Sequence, residues 1–396
     1  MREKSSNYLP VYEGMPRFEE SSPPATLTST SAVEAFLAGT PFECRSVTQF
    51  TGGNINYVYR LHLATPIGDI KTVVLKHAQP FFRVCEEVVW ELDRQAFEVE
   101  AMTRVRKGLP ATSTVTVPEI FHFDAKNHFI ILEDCGSDVA TLKELIISGS
   151  LSSTAAETIG SAVGEFIATL HEWSRSNPDG ILDVFDECPH TRKMVASGAY
   201  DHVVSTLQGT DEDNLPLLSG FEIDSSKLQT IQTLADEYRA HLMSPGHSTH
   251  DVFLMGDLTY TNVLVSNDDK QPLRIYLLDW ELARTGLPGS EFGMFCAFLS
   301  PLTRGDSKAA GLASTVQKSF FNSYSRHAKL NSRLAQDALA HWGANYIYWM
   351  PREPLCEEKE VVDFVKEGVE YMARSRDVEF LAQSPVQVLL GDERYI

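Results

Sequence analysis

Paired cysteines are missing from this sequence. Its six cysteines, at 44, 85, 135, 188, 296 and 356, show no C-x-x-C spacing, which excludes the common zinc and dithiol redox motifs. No run of about 18 apolar residues occurs, so no membrane-spanning helix is expected. Residues 1–30 are polar, rich in Pro and Ser, and lack the apolar segment of a signal peptide. We therefore expect a cytoplasmic protein whose cysteines are scattered thiols.

Basic residues are scarce. The chain has 34 Lys and Arg against 54 Asp and Glu, which gives a formal net charge of -20. Such a charge repels phosphate backbones and anionic lipids, so neither nucleic acid nor a membrane is an expected partner. A hydrophobic fraction of 43% indicates a globular protein, and 396 residues are enough for about two domains.

The sequence pattern divides the chain into three parts. A flexible N-terminal arm is predicted at 1–29, a small sheet lobe with one helix at 30–135, and a mainly helical lobe at 136–396. Alternating apolar residues predict the strands, and apolar residues at helical spacing predict the helix. The predicted strands of the sheet lobe are 44–50, 57–63, 71–78 and 128–134, and its helix is 90–106.

The third part contains long helical patterns and one pair of short strands. Thr154 and Glu157 fit a capping box at the start of one helix, and further helices are predicted around 225–243 and through the last hundred residues. Strand-like runs at 252–265 and 273–282 predict a hairpin among these helices. The expected class is therefore α+β, with a small antiparallel-sheet lobe followed by a larger helical lobe.

Three features of the sheet lobe point to phosphate chemistry. The turn in QFTGGNINYVYRL contains Gly52, Gly53 and Asn54, and glycine lets backbone N–H groups approach a phosphate closely. It lacks a full G-x-G-x-x-G pattern, and taken alone it also fits an ordinary hairpin. Lys76 ends the apolar run VVLK, where its charge requires an anion or a carboxylate unless it extends to water.

The carboxylate for Lys76 is sought on the predicted helix at 90–106. Glu98 and Glu100 both lie there, about 200° apart around the helix axis, so at most one can face the sheet. Glu98 is preferred, and Glu100 stays the alternative. A solvent-exposed charge on this helix is the simpler reading of either residue.

Polar side chains interrupt the predicted hairpin of the helical lobe. In VFLMGDLTYTNVLV, Asp257 and Asn262 lie five residues apart, and Asp279 follows the apolar run IYLL. Phosphoryl transfer needs a carboxylate that orients the attacking hydroxyl, together with an amide and a second carboxylate that hold magnesium. The same residues also fit simple capping of two turns, but the ordered series from the glycine-rich turn to Asp279 favours a kinase.

This series resembles the aminoglycoside phosphotransferase and choline kinase-like small-molecule kinases, a family with the protein-kinase-like fold. FIILEDCG is similar to the lobe-connecting segment, LHEW to a Leu-His motif before the catalytic region, and MGDLTYTN and LLDWE to the catalytic and metal-binding motifs. LKHAQP, the Met-x-Asp-Leu form and LDWEL are similar to fungal methylthioribose kinase relatives, among them hydroxytryptamine kinases. Met255 stands where the family usually has a His that braces the loop.

The resemblance implies an enzyme that uses ATP and Mg²⁺ to phosphorylate a hydroxyl group of a small molecule. It assigns Asp257 to the acceptor hydroxyl and Asn262 and Asp279 to the metal. The nucleotide would be bound by the turn at Gly52, Gly53 and Asn54, by Lys76 with Glu98, and by the backbone near Glu133 and Cys135. A catalytically inactive nucleotide-binding or protein-interaction module of the same fold is the alternative. A protein kinase is disfavoured because no Ala-Pro-Glu segment follows Asp279.

The acceptor is expected to carry a positive charge. The net charge of -20 and the extra carboxylates Glu281 and Glu291 near the proposed site favour a cation. Trp280 and the aromatic stripe of Trp342, Tyr346 and Trp349 offer cation–π contacts to an ammonium group. That stripe equally fits a helix face packed in the core.

Overall fold

The computed structural model describes residues 25–395 except 109, 111–112, 214, 267–271 and 306. The chain divides into two compact units, Met1–Val139 and Ala140–Ile396. Most of the arm predicted at 1–29 lies outside the described residues, which begin at Ala25. From there the chain is held in the first unit, since Leu27 is buried and its N–H donates to His77 Nε2 at 3.3 Å.

The first unit is built on an antiparallel sheet. Its strands in chain order are β1 (Cys44–Phe50), β2 (Tyr57–Ile67), β3 (Ile70–His77), β4 (Phe81–Phe82), β5 (Cys85–Val89), β6 (Val115–Thr116), β7 (Ile120–Asp124) and β8 (Phe129–Glu133). Five of them form one sheet in the order β1-β2-β3-β8-β7, and β4 pairs with β5 in a separate hairpin. Each neighbouring pair in the large sheet is antiparallel.

Two helices accompany this sheet: α1 (Thr30–Leu37) and α2 (Arg94–Gly108). Helix α1 packs near β1, and α2 packs against β7 and β8. Alternate residues of the strands are buried, among them Tyr59, Leu61 and Leu75, and they form a core with α1. The alternation follows from the two-residue period of a strand, which sends every second side chain to one face.

The second unit is mainly helical. Its helices are α3 (Leu142–Ile147), α4 (Ser153–Ser174), α5 (Ile181–Asp186), α6 (Pro189–Ala196), α7 (Val203–Gln208), α8 (Ser225–Met243), α9 (Pro288–Leu299), α10 (Lys308–His327), α11 (Ser332–Trp349), α12 (Glu358–Ala373) and α13 (Val378–Gln383). Single helical turns occur at Pro178–Gly180, Ser197–Asp201, Pro216–Leu218 and Ser300–Thr303, with a longer 3₁₀ segment at Pro385–Tyr395. Among the helices that the structure describes, none is long and apolar enough to cross a membrane.

Helix packing in this unit depends on close backbone approach. A Cβ at Gly160 of α4 would lie 2.3 Å from the carbonyl oxygen of Val316 in α10, so the two helices could not pack this closely with any other residue there. Helix α4 begins at Ser153, and the Ser152 hydroxyl accepts a hydrogen bond from the Ala155 N–H. The cap predicted at Thr154 is therefore wrong by two positions, because several residues of this Ser/Thr-rich stretch can serve as caps.

Short strands among these helices carry the two polar loops. The strands are β9 (Val139–Thr141), at the boundary of the two units, and β10 (Val252–Leu254), β11 (Val263–Ser266), β12 (Ile275–Leu277) and β13 (Arg284–Gly286). Strand β11 pairs with β12, and β10 pairs with β13, both antiparallel. The loop between β10 and β11 holds Asp257 and Asn262, and the loop after β12 holds Asp279.

Candidate active site

Lys76 and Glu98 form a buried ion pair in the first unit. Lys76 lies near the end of β3, and its Nζ is 2.7 Å from Glu98 Oε1 on α2. Both side chains are almost fully buried, at 9% and 2% exposure. Glu100 instead pairs with Arg104 along the helix, so α2 directs Glu98 towards the sheet. Removing one partner of such a pair leaves an uncompensated buried charge, at a cost of about 3–5 kcal/mol.

The glycine-rich turn joins β1 and β2. Gly52, Gly53 and Asn54 are exposed, and Gly53 has φ of 87°, in the left-handed region that favours glycine. Among the described residues, no protein acceptor is bound by the backbone N–H of these three residues. A run of outward-facing N–H groups is the feature by which such turns bind anions.

The segment after β8 is fixed by ion pairs and hydrogen bonds. The Arg60 Nη2 atom donates to Asp134 Oδ1 and to the Gly136 carbonyl, both at 2.8 Å. The Glu133 N–H donates to the Glu119 carbonyl at 2.7 Å, so that N–H is already engaged within the unit. Cys135 follows, and burial raises the pKa of its thiol. Glu133 and Cys135 are the two residues predicted near the adenine. The backbone N–H of Cys135 binds no acceptor in the described part of the chain.

Asp257 and Asn262 meet across the loop between β10 and β11. The Asn262 Nδ2 group donates to Asp257 Oδ2 at 2.8 Å and to the Asp257 carbonyl at 3.0 Å. Backbone bonds from Thr259 N to Asp257 O and from Asn262 N to Thr259 O, both 3.0 Å, close the turn between them. Because Nδ2 is committed to Asp257, the oxygen of the Asn262 amide is directed away from that carboxylate and is suited to a cation.

Asp279 lies beside Asn262. The strand register pairs Val263 with Leu277, and the Leu278 N–H donates to the Asn262 carbonyl at 2.9 Å, so the next residue, Asp279, leaves the hairpin next to Asn262. Its φ is 67°, a left-handed conformation that costs free energy for most residues and that Asp and Asn tolerate best. Non-glycine residues in this conformation cluster at functional sites.

The residue before Asp257 is held from both sides. The Gly256 N–H donates to Glu291 Oε1 at 2.8 Å, and Arg284 Nη1 lies 3.4 Å from the Gly256 carbonyl. Gly256 has φ of 92°, and a Cβ there would lie 2.0 Å from the Leu282 carbonyl oxygen. Only glycine fits this position, because a side chain would meet the Leu282 carbonyl and the backbone is left-handed.

Glu291 belongs to a buried polar chain. Its Oε2 accepts from His171 Nε2 at 2.8 Å, and His171 Nδ1 lies 2.9 Å from the Tyr324 hydroxyl. Burial lowers the pKa of the Arg284 guanidinium to about 10, while the negative charges of Glu291 and Asp257 act in the opposite direction. Met255 is fully buried, and the residue after it, Gly256, is contacted by Glu291 and Arg284.

Most of the charged and aromatic residues that were expected to favour an amine are buried in the protein. Trp280 is fully buried, and its Nε1 donates to the Leu277 carbonyl at 2.9 Å. Trp342 and Tyr346 are buried on α11, so the aromatic stripe belongs to the core at these two positions. Glu281 is 2% exposed and Glu291 supports the loop. The expected cation–π contacts are therefore wrong for Trp280, Trp342 and Tyr346, which are packed in the core. Glu291 does lie beside the proposed site, but both of its carboxylate oxygens are engaged by the protein.

The oxygen ligands of the loops suit magnesium. In the described part of the chain, no three His, Cys, Asp or Glu side chains form a metal-binding group. Asn262 and Asp279 nevertheless offer an amide and a carboxylate oxygen from neighbouring backbone positions. Magnesium usually takes only one or two carboxylates from a protein and completes its octahedron with substrate phosphates and water. The residues present fit that requirement, and Mg²⁺ bound there would neutralise charge on a transferred phosphoryl group.

Comparison with known proteins gives the family. Residues 46–317 match the model of the phosphotransferase enzyme family known as APH. The chain belongs to this phosphotransferase family. It is 27% identical to 4-hydroxytryptamine kinase of Psilocybe cyanescens over 332 residues, covering 82% of this chain and 86% of that protein. The same enzyme of Psilocybe cubensis is 26% identical over 331 residues, with 82% and 85% covered.

A solved structure supports the fold. The microcompartment-associated aminopropanol kinase superposes with a TM-score of 0.50 at 14% identity, covering 87% of this chain and 94% of that one. The predicted α+β, protein-kinase-like class and the predicted family are confirmed. The chain is a small-molecule kinase, as its series of polar motifs indicated.

Sequence reasoning missed the residues that support the loops. Glu291 was considered only as an acidic neighbour of the site, and Arg284 and Arg60 were not considered. Glu291 lies 34 residues after Asp257 by position in the chain, and no spacing rule connects it to the Gly256 N–H. A buried carboxylate just inside helix α9 was the available signal, because an acidic residue in the apolar run LPGSEFGMF needs a polar partner.

Proposed function

We propose that this phosphotransferase moves the γ-phosphoryl group of ATP to a hydroxyl group of a small molecule, with Mg²⁺ as the metal. The observation that carries the proposal is the contact between Asn262 Nδ2 and Asp257 Oδ2 at 2.8 Å. It unites the proposed acceptor-binding carboxylate with the proposed metal-binding amide in one rigid loop, beside Asp279. Phosphoryl transfer depends mainly on such positioning and on charge neutralisation.

The second unit supplies the acceptor and metal chemistry in this proposal. Asp257 accepts the proton of the acceptor hydroxyl and orients that oxygen for in-line attack. Asn262 and Asp279 would hold Mg²⁺, which would neutralise charge on the transferred phosphoryl group. Glu291 and Arg284 keep the Gly256 backbone fixed, so Asp257 does not have to be ordered when the acceptor binds.

The first unit supplies the nucleotide contacts in this proposal. Lys76 binds phosphate oxygens, and Glu98 holds its ammonium in place at 2.7 Å. The N–H groups of Gly52, Gly53 and Asn54 bind phosphate from the glycine-rich turn. The backbone at Cys135 hydrogen bonds the adenine, since the Glu133 N–H is already committed to Glu119.

We further propose a hydroxylated amine as the acceptor. Support comes from the two Psilocybe kinases, whose names specify 4-hydroxytryptamine and which align with four-fifths of this chain. A net charge of -20 favours a cationic substrate in the same direction. The assignment of an amine acceptor does not depend on cation–π contacts to Trp280 or to the buried residues of α11.

Coupled assays with Mg-ATP and pairs of acceptors test both levels of the proposal. Each pair shares a hydroxylated ring and differs only in the amine, and kcat/KM is compared at low and high salt. We expect turnover of the hydroxylated amine, with a preference that weakens as salt screens the charge. A preference for neutral acceptors contradicts the amine assignment alone. No turnover with any acceptor, together with a melting shift on adding Mg-ATP, favours an inactive nucleotide-binding module. The absence of both turnover and shift contradicts the proposed use of ATP.

A further inference from the structure

The hairpin of β4 and β5 contacts the glycine-rich turn through Arg83 and Val84, the two residues that join its strands. The backbone N–H groups of Arg83 and Val84 donate to the carbonyls of Ile55 and Asn54, both at 3.1 Å. The Arg83 side chain continues the contact, because its Nη2 donates to the Thr51 carbonyl at 3.3 Å and to the Gly53 carbonyl. Four carbonyl groups of the turn are therefore held by one hairpin.

This arrangement has a consequence for the N–H groups of the turn. The C=O and N–H of a peptide unit point in opposite directions, because the unit is planar and trans. When the hairpin binds the carbonyls of Thr51 and Gly53, the amide groups of Gly52 and Asn54 are turned to the opposite side. Those N–H groups bind no acceptor among the described residues. The N–H groups of Gly52 and Asn54 therefore already have an orientation that suits an anion.

The residues that flank the hairpin, Pro80 and Trp90, form its base and are held by several contacts. The Trp90 N–H donates to the Pro80 carbonyl at 3.2 Å, and the Phe82 and Trp90 rings lie 6.0 Å apart. Arg94, at the start of α2, lies over the Trp90 ring with 4.8 Å to its centroid. The guanidinium also donates to the Gln79 carbonyl at 2.9 Å.

Arg94 also links this base to the turn and to the ion pair. Its Nη2 lies 3.3 Å from Asn56 Oδ1, at the end of the turn. Arg94 precedes Glu98 by four residues, one helical turn, and the neighbouring Gln95 Nε2 donates to the Lys76 carbonyl at 3.2 Å. The hairpin, the turn and the Lys76–Glu98 pair thus share one set of contacts.

We propose that Arg83 is a positioning residue that orients the glycine-rich turn for the nucleotide phosphates. The inference rests on the proposed use of ATP. Arg83 acts through the carbonyls of Thr51 and Gly53 rather than on the acceptor. Its loss should therefore weaken binding of phosphate-bearing nucleotides and leave the chemistry of Asp257 in place.

Arg83→Met tests the proposal, since methionine removes the donors and keeps an unbranched apolar stem. The KM for ATP should rise about tenfold, as expected for loss of charge-assisted hydrogen bonds that organise a binding site. The value of kcat at saturating ATP should change far less. The melting shift caused by ADP should shrink, while any shift caused by adenosine, which has no phosphate, should be unchanged.

Arg45→Met is the matched control. Arg45 lies on β1 in the same sheet, is exposed, and makes no side-chain hydrogen bond to another described residue. It removes the same positive charge from the unit, so it should leave the KM for ATP unchanged. Arg83→Lys, which retains the charge and can still reach one carbonyl, is the second variant, and its KM should lie between those of wild type and Arg83→Met.

The outcomes separate this inference from the proposed function. Wild-type protein that shows neither turnover nor an ADP-dependent melting shift removes the basis of both. Wild-type protein that shows both, with a wild-type KM for ATP in folded Arg83→Met or Arg83→Lys, overturns the role of Arg83 alone. An equal loss of the ADP and adenosine shifts also overturns it, since that pattern indicates general damage to the first unit.

Discussion

Glu291 Oε1 accepts a hydrogen bond from the Gly256 backbone N–H at 2.8 Å. The two groups are buried, and the bond fixes the residue that precedes Asp257. The second carboxylate oxygen of Glu291 is engaged by His171, so the Glu291 carboxylate cannot rotate without losing one of these two partners. A side chain outside the polar motifs therefore supports the backbone of the loop that carries Asp257 and Asn262.

Glu291→Met should lower kcat by about 10- to 100-fold, because the unsupported Gly256 allows Asp257 to shift, and displacements of about 1 Å have effects of this size. The nucleotide-dependent melting shift should persist, since the nucleotide contacts proposed for the first unit are untouched. Steady-state kinetics and thermal melting on the same preparations provide the measurement.

Glu291→Gln is the informative partner variant for this prediction. Glutamine keeps an oxygen for the Gly256 N–H, so it should retain most of the activity that methionine loses. Glu157→Met, on the exposed face of α4, controls for the loss of one negative charge. Wild-type kcat in folded Glu291→Met would show that the loop does not depend on this bond.

Asp257→Ala should reduce turnover by about 100-fold or more while sparing the affinity for ATP, because the carboxylate is proposed to act on the acceptor hydroxyl. The change also removes the side-chain acceptor of the Asn262 amide and keeps the backbone one, so circular dichroism must accompany the kinetics. Near-normal turnover by a correctly folded variant contradicts the assignment of Asp257.

Asp279→Asn should weaken the dependence of nucleotide binding on magnesium. Asparagine tolerates the left-handed backbone at this position, so the variant removes the charge without adding backbone strain. The measurement is a magnesium titration of the ATP-dependent melting shift, which should require a higher metal concentration than in wild type. An unchanged titration supports the simple turn-capping role that the sequence also allows.

Acid should destabilise the first unit through His77. Burial lowers the pKa of His77 from 6.5 to about 4, and its Nε2 accepts the Leu27 N–H while Nδ1 faces the His128 carbonyl. The neutral form is thus favoured by folding. Its contribution to stability is complete above pH 6.5 and is lost as the pH falls towards 4, by at most about 1.4 kcal/mol per pH unit.

Unfolding in denaturant at several pH values between 7 and 5 measures this effect. The free energy of unfolding should fall with pH less steeply in His77→Asn than in wild type. His250→Asn, at an exposed position, should keep the wild-type slope. If His77→Asn also keeps it, the neutral histidine does not contribute to the acid sensitivity.

Local pattern was sufficient to predict several elements of the fold. Alternation predicted strands close to the observed β1, β2, β3 and β8, and the helical period predicted α8 at 225–243, the bounds that the structure has. These elements follow from side chains within a few residues of each other, which is the range over which periodicity acts. The hairpin of β4 and β5 was not predicted, since its strands are short and mostly exposed.

The sequence by itself determined the family, the fold class and the polar residues proposed for the chemistry, because motifs keep their spacing along the chain. Only the tertiary structure decided which carboxylate meets Lys76, which aromatic residues are core, and which groups hold the loops. Glu291 reaches Gly256 across 35 positions, and Arg83 reaches Thr51 across 32. Contacts at such separations depend on helix packing and strand pairing, which local periodicity does not specify.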